Sequence, residues 1–305
     1  MAYGKEAAIM SIKSKSPFSR IADAAIVIIL GLASLICLYP ILYVVFASFS
    51  DSALLEGYNG FLYRPLGFSL GAYHAVFTDG EIWRGYANTV MYVVAGTALS
   101  VVLTSLGAYA ITRKNFLWRK FVLIMVLITM FFHGGLIPNF ILIKKLGMYN
   151  TIWSIILPTA VSAWNMFIMR TSFAAIPASI EEAAEIDGAN QLQIFVKIIL
   201  PLSLSVIAVM VLYYGVGRWN AWFNAMIYLR NRALYPLQLI LREILIANST
   251  EDMMLTLDVS STDGQKVSES IKYATIVVAT VPVLCVYPFL QKYFVKGVMV
   301  GSVKE

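Results

Sequence analysis

Charge is what this 305-residue sequence has least of: Asp, Glu, Lys and Arg together make up 13% of it. A soluble domain carries about 25% charged residues, so an aqueous surface over most of the chain is excluded. There are two cysteines, Cys37 and Cys285, and two histidines, His74 and His133. Each stands alone, so they give neither a disulfide framework nor a metal site. Nothing matches the phosphate-cradling pattern GxxxxGK[ST], so any ATP that drives this protein is held by another chain. An intramembrane enzyme would need an HExxH helix, a carboxylate pair or a nucleophile beside its base, and none of these is present.

Apolar residues fill the sequence instead. They make up 59% of it, and the mean hydropathy is +0.76. A bilayer core of about 30 Å needs about 20 apolar residues per helix. Stretches of that kind recur at roughly 24–48, 86–111, 121–142, 152–170, 201–223 and 272–290, which predicts an all-α protein with six membrane spans. The first run is longer than the roughly 7–15 residues of a signal-peptide core and is read as a retained span. The division expected is an N-terminal arm at 1–23, one six-helix domain at 24–290 and a tail at 291–305.

The formal charge of +6 lies in short clusters between apolar segments rather than on one basic face, so it marks topology rather than nucleic-acid binding. Positive-inside counting puts three of these clusters in the cytoplasm: the N-terminal arm, the RKNFLWRK turn (residues 113–120), and the tail with Lys292, Lys296 and Lys304. Both termini are then cytoplasmic. Lys144 and Lys145 fall outside and break the rule. Segments 49–85 and 224–271 are external, and 236–246 has the pattern of a short amphipathic helix that lies at the interface, covers an outer mouth or simply packs. The polar stretch at 249–265 suits an aqueous loop.

The cytoplasmic segment at about 171–200 carries helix punctuation of its own. Ser179 with Glu182 three residues later has the form of a capping box, which starts a helix at Ile180. Glu181, Glu182 and Glu185 suit the positive end of its macrodipole. Gly188 ends the helix in the left-handed conformation, Asn190 and Gln193 can cap a second helix, and Pro201 closes it. A two-turn helix is marginal alone in water, so the first helix needs a groove to dock in. Ala183 and Ala184 leave one side of it small. Phe195, Ile198 and Ile199 on the second helix suit anchoring beneath the fourth and fifth spans.

These residues resemble a known family. Glu182-Ala183-Ala184, then Gly188, then Ile198-x-Leu200-Pro201, placed before the penultimate span, are similar to the EAA loop of bacterial binding-protein-dependent ABC importer permeases. Ser205 stands where many relatives have a second proline. The resemblance implies the type I importer permease fold, a place in the bacterial inner membrane, and no catalytic residues or cofactor in this chain. It also implies a second related permease, two ATPase subunits holding ATP and Mg, and an external substrate-binding protein. Glu182, Ala183, Ala184, Asp187, Gly188, Ile198, Leu200 and Pro201 would form the ATPase-coupling site.

The ending YPFLQKYFVKGVMVGSVKE, the YPLQ at 235–238 and the stretch 262–276 resemble the carbohydrate branch related to maltose-type permeases, and within it the subgroup for complex polysaccharide fragments. In maltose-type relatives the tail reaches between the ATPase subunits. Gly297, Gly301 and Lys304 are therefore either a second ATPase contact or part of a basic tail held by lipid head groups. Tyr213, Tyr214, Trp219, Asn220 and Trp222 cluster where a sugar pathway or an interfacial aromatic belt would place them. Arg218 suits either an acidic sugar or snorkelling to head groups. An ion-coupled secondary transporter is the competing class, but the spans carry almost none of the ionisable groups it would need. An ABC permease for a non-sugar solute is another reading.

Overall fold

The computed structural model describes all residues except 1–16, 56, 57, 59, 114, 115, 256–268 and 303–305. Much of the basic N-terminal arm, Lys114, Lys304 and residues 262–268 therefore lie outside the described residues. The principal helices are α1 (Pro17–Ser48), α2 (Gly80–Thr112), α3 (Arg119–Phe131), α4 (Leu136–Lys145), α5 (Ala163–Ala174), α6 (Ala178–Ile186), α7 (Gln191–Leu202), α8 (Leu204–Trp219), α9 (Leu237–Leu255) and α10 (Glu269–Ser302). Among the described residues there is no strand, only one isolated bridge between Ser50 and Phe68.

Several helix limits differ from those the apolar runs predict. Helix α2 starts at Gly80 rather than at about 86, because the Asp79 side chain accepts a hydrogen bond from the Glu81 N–H at 2.8 Å and caps it. The expected third span breaks in its middle: α3 and α4 meet at 119° across 132–135, where Gly135 has φ +81°. An L side chain is strained at that angle, so the glycine permits the turn. The fourth is also broken, into a short turn at Trp153–Ile156 and the 12-residue α5, which Ser162 caps. At 1.5 Å per residue α5 is about 18 Å long, short of a bilayer core.

Pro201 does not close its helix. The helix widens into a π turn at Phe195–Ile199, with the Leu200 N–H donating to the Phe195 carbonyl, and ends at Leu202, one residue after Pro201, at an 83° bend into α8. A proline ring crowds the carbonyl four residues back, and a widened turn just before it relieves that crowding. Among the described residues two helices, Asp23–Ser48 and Gly80–Thr112, are long and apolar enough to cross a membrane, or four if each bent pair is one span. Helix α9 runs to Leu255, past the expected limit at 246 and through part of the polar stretch. Helix α10 continues without interruption through residue 290, so Gly297 and Gly301 lie on a helix.

Two of the four apolar cores among the described residues bear on the site. One gathers Ala108, Tyr109, Met169 and Phe173 with Ala184, Ile194, Phe195, Ile199 and Met210, joining α2, α5 and α8 to the α6–α7 element. The other packs Trp219 with Ile82, Leu237, Ile240, Ala274 and Ala279, joining α2, α8, α9 and α10. Beyond them α1 is exposed along nearly its whole apolar length, including Ile28, Leu32 and Ile36, as a lipid-facing helix is. Near the start of α2 the 231–237 segment is tied down. Asn88 donates to the Ala233 and Tyr235 carbonyls at 2.8 and 3.0 Å, and Tyr92 to Leu234 at 2.9 Å. Arg232 pairs with Glu81 at 2.8 Å, and the hydrogen bond it donates to that carboxylate raises the guanidinium pKa above its ordinary value.

Candidate coupling element and translocation cavity

The α6–α7 element is a helix, a sharp turn and a second helix. Its first helix begins one residue after Pro177 rather than at a Ser179 cap. Pro177 sets the extended backbone (φ −57°, ψ 131°), no side-chain cap bond forms, and Ser179 already lies inside the first turn. The expected Ser179–Glu182 capping box is therefore absent. Proline fixes the start because it supplies a restricted φ and has no N–H to satisfy. Glu182 is left exposed, as are Ala183, Glu185 and Asp187, while Ala184 is buried in the first core. The small face expected from the two alanines is thus divided between solvent and core. Ile186 is 87% exposed, an apolar side chain held in water between the carboxylates of Glu185 and Asp187. Sequence reading passed over it, although a lone Ile between Glu185 and Asp187 is the signal.

Gly188 closes the first helix with φ +81°. The Gly188 N–H donates to Glu185 and the Ala189 N–H to Ala184, at 3.0 and 2.9 Å, which satisfies carbonyls the helix end would leave open. A Cβ at 188 would meet nothing within 4 Å, so the glycine is required by its backbone angle and not by crowding. The second helix opens on a complete capping box. The Gln193 N–H donates to Asn190 Oδ1, and the Asn190 N–H to Gln193 Oε1, each at 2.9 Å. Ile194, Phe195 and Ile199 are buried and Ile198 and Leu200 half-buried against the first core, whereas Pro201 is exposed. Burying aliphatic and aromatic side chains of this size contributes about 1.5–3 kcal/mol each, enough to seat α7 firmly under α2 and α5.

Helix α2 grips both halves of the element. Arg113 Nη2 donates to Glu181 Oε1 at 2.7 Å and Nη1 pairs with Oε2, a two-pronged contact to α6. The same guanidinium lies 4.3 Å over the Tyr109 ring. Tyr109 donates to Gln191 Oε1 at 2.8 Å, and Gln191 Nε2 donates to Glu185 Oε1 at 2.7 Å, which joins α7 back to α6. In the sequence Arg113 was only a topology marker, because its partner lies 68 residues away.

The aromatic residues near the end of α8 do not act as one group. Tyr213 and Tyr214 line a cavity of about 300 Å³ together with Thr159, Ser162, Asn165 and Arg218. Trp219, Asn220 and Trp222 are absent from its lining. Trp219 turns into the second core and donates Nε1 to the Ala279 carbonyl at 3.1 Å, Asn220 bonds back to Val216, and Trp222 packs beneath the Arg242 guanidinium at 4.3 Å. Helical spacing explains the exclusion of Trp219: 214 and 218 share a face, and 219 turns away from it. Arg218 does not reach head groups. It is 9% exposed and donates to Ser100 Oγ at 2.7 Å, Thr159 Oγ1 at 2.9 Å and the Thr159 carbonyl at 3.1 Å. Among the described residues no three His, Cys, Asp or Glu side chains gather to hold a metal ion.

Comparison with known proteins places this arrangement. Residues 104–300 match the family model "Binding-protein-dependent transport system inner membrane component". The polygalacturonan/rhamnogalacturonan transport system permease protein YtcP of Bacillus subtilis (strain 168) is 42% identical over 286 residues, 94% of this chain and 99% of YtcP. Protein LplC of the same organism is 37% identical over 93% of this chain and 95% of its own. A crystal structure of a bacterial ABC transporter involved in the import of the acidic polysaccharide alginate contains a chain with 34% identity and a TM-score of 0.83, covering 93% of this chain and all of that one. The helical bundle is thus the type I ABC permease fold, and the relatives are transport permeases rather than enzymes. From a matched region that contains the whole α6–α7 element, and relatives aligned over nearly the full chain, it follows that the chain belongs to the family of binding-protein-dependent transport system inner membrane components.

Proposed function

We propose that this permease forms half of a pathway by which a polysaccharide-derived saccharide enters a bacterial cell, and that α6 and α7 connect the pathway to an ATPase. A second, related permease encloses the other half. Two ATPase subunits holding ATP and Mg dock beneath, and an external binding protein delivers the sugar. The chain crosses the cytoplasmic membrane six times with both termini inside. The membrane domain covers 24–290, with 1–23 and 291–305 in the cytoplasm, where Gly297, Gly301 and Lys304 supply a second ATPase contact.

The observation that carries the coupling role is the geometry of α6. Glu182, Ala183, Ile186 and Asp187 stand exposed on a short helix, and the rest of the element is bonded to α2 through Arg113 and Tyr109. A short helix with an exposed apolar residue is suited to a cleft on a partner, and its ties to α2 let displacement of that cleft reach a long membrane helix. ATP-driven closure of the ATPase pair would bring the coupling helices together and open the pathway outward, and hydrolysis would reset it. The saccharide reading rests on the named substrates of YtcP and of the alginate importer.

Gly188→Trp in the assembled importer tests this reading. The variant should reach the membrane at a level within about twofold of wild type, since the site is open and lies outside the bundle, yet lose at least tenfold in sugar uptake and in substrate-stimulated ATPase activity. Wild-type uptake by this variant would remove the coupling role. Glu182→Lys is a cleaner probe of docking than the sequence suggests. Because Glu182 caps nothing in its own helix, its reversal acts on the partner surface, and it should weaken co-purification of the ATPase.

A further inference from the structure

We propose that the cavity beside Arg218 binds the carboxylate of an acidic sugar unit in the pathway, an inference that rests on the saccharide reading above and names its chemical class. Arg218 is nine-tenths buried, and among the described residues its guanidinium makes no ion pair with any carboxylate. A guanidinium has five N–H donors. Three hydrogen bonds hold this one, all to neutral oxygens of Ser100 and Thr159, and Nε has no partner. A positive charge buried without a counter-ion is costly, and ionisable groups at membrane depth are kept where they meet substrate.

The seat is built for this side chain. A Cβ at Gly96 would approach the guanidinium at 2.7 Å, so α2 offers a bare backbone against which the planar group lies. Arg218 borders the cavity of about 300 Å³, at the lower end of the range for small-molecule sites and suited to one sugar unit. No acidic residue lines it. The capped N-terminus of the 12-residue α5 also opens there. Ser162 Oγ accepts from the Asn165 N–H, and the Ser162 N–H donates to the Tyr214 hydroxyl at 3.0 Å. The partial positive charge of that helix end adds to the guanidinium. Asn165 and Tyr213 supply an amide and a ring for sugar hydroxyls and C–H faces. Nε lies buried against Gly96 and Nη2 is committed to Ser100 and the Thr159 carbonyl, so the guanidinium offers a carboxylate its charge and the second N–H of Nη1.

The alternative is that Arg218 only staples α2 to the 157–162 break. Both roles can be read from the purified permease–ATPase complex in nanodiscs, without the binding protein so that its selectivity does not intervene. Digalacturonate and its dimethyl ester have the same rings and differ in charge. Wild type should bind the acid at least tenfold more tightly than the ester, Arg218→Gln should abolish that preference, and Arg218→Lys, which keeps the charge but shifts its position, should retain part of it. Equal affinity of wild type for acid and ester, no binding of either, or equal loss of both in Arg218→Gln would overturn the site. If Arg218→Gln fails to assemble, Arg218→Lys decides on the same terms: partial retention of acid preference supports the site, and equal loss of both ligands overturns it. Uptake of digalacturonate by wild-type proteoliposomes with the binding protein present is scored separately. Uptake without acid preference at Arg218 sinks only this site, and absence of any saccharide uptake sinks the proposed function with it.

Discussion

The α6–α7 element and the Arg218 cavity are both polar features of an apolar chain, yet they are built in opposite ways. The element is assembled from neighbours in sequence: Pro177 starts it, Gly188 turns it, and Asn190 with Gln193 restarts it within 17 residues. The cavity is assembled from residues far apart, with Arg218 bonded across 118 residues to Ser100 and across 59 to Thr159. Local construction gives a unit that can be displaced as one body. Long-range construction ties three segments together at a fixed point.

Substitutions that break the two regions should separate them. The largest expected stability effect is Phe195→Ala, which empties a buried ring site in the core shared with α2 and α5 and should cost about 3–5 kcal/mol, read as loss of hydrogen-exchange protection through α7. Arg113→Ala removes both prongs on Glu181 and should cost about 1.5–3 kcal/mol, as hydrogen bonds to charged groups do. Exchange should accelerate in α6 while Ser100 and Thr159 near the cavity keep wild-type protection. Spread of the effect to the cavity would mean that the two regions are not independent. Asn190→Ala should cost about 1 kcal/mol by loss of the cap, whereas Ser179→Ala, lying inside a helix that proline starts, should change stability by less than about 0.5 kcal/mol. Thermal melts of the two variants side by side measure that difference, and equal losses would restore the Ser179 cap.

How much of each region the sequence disclosed follows from the same contrast. The Gly188 turn and the Asn190 cap were legible because each depends on a neighbour within a few residues, and the anchoring residues Phe195 and Ile199 because their apolar side chains stand out in a polar segment. The Ser179 cap was misread because a Ser-x-x-Glu pattern competes with a proline two residues upstream, and the proline prevails. The glycines beside His133 mark a break in the sequence, and Pro158 stands at the other; what apolarity did not record is that both breaks fall inside the expected spans rather than at their ends. Grouping Tyr213, Tyr214, Trp219, Asn220 and Trp222 failed since closeness in sequence scatters side chains around a helix. Arg218 and Arg113 could be noticed but not placed, because Ser100, Thr159 and Glu181 carry no mark of the pairing.

The central claim, that α6 docks on a partner and moves with α2, is tested most directly at Ile186. A spin label on Ile186→Cys, with Cys37 and Cys285 replaced by serine, reports its surroundings without requiring knowledge of the partner's residues. The label should be mobile in the permease alone, as an 87% exposed side chain allows, and become immobilised when the ATPase subunits assemble. A mobile spectrum in an importer that is assembled and transporting sugar would contradict the docking of α6.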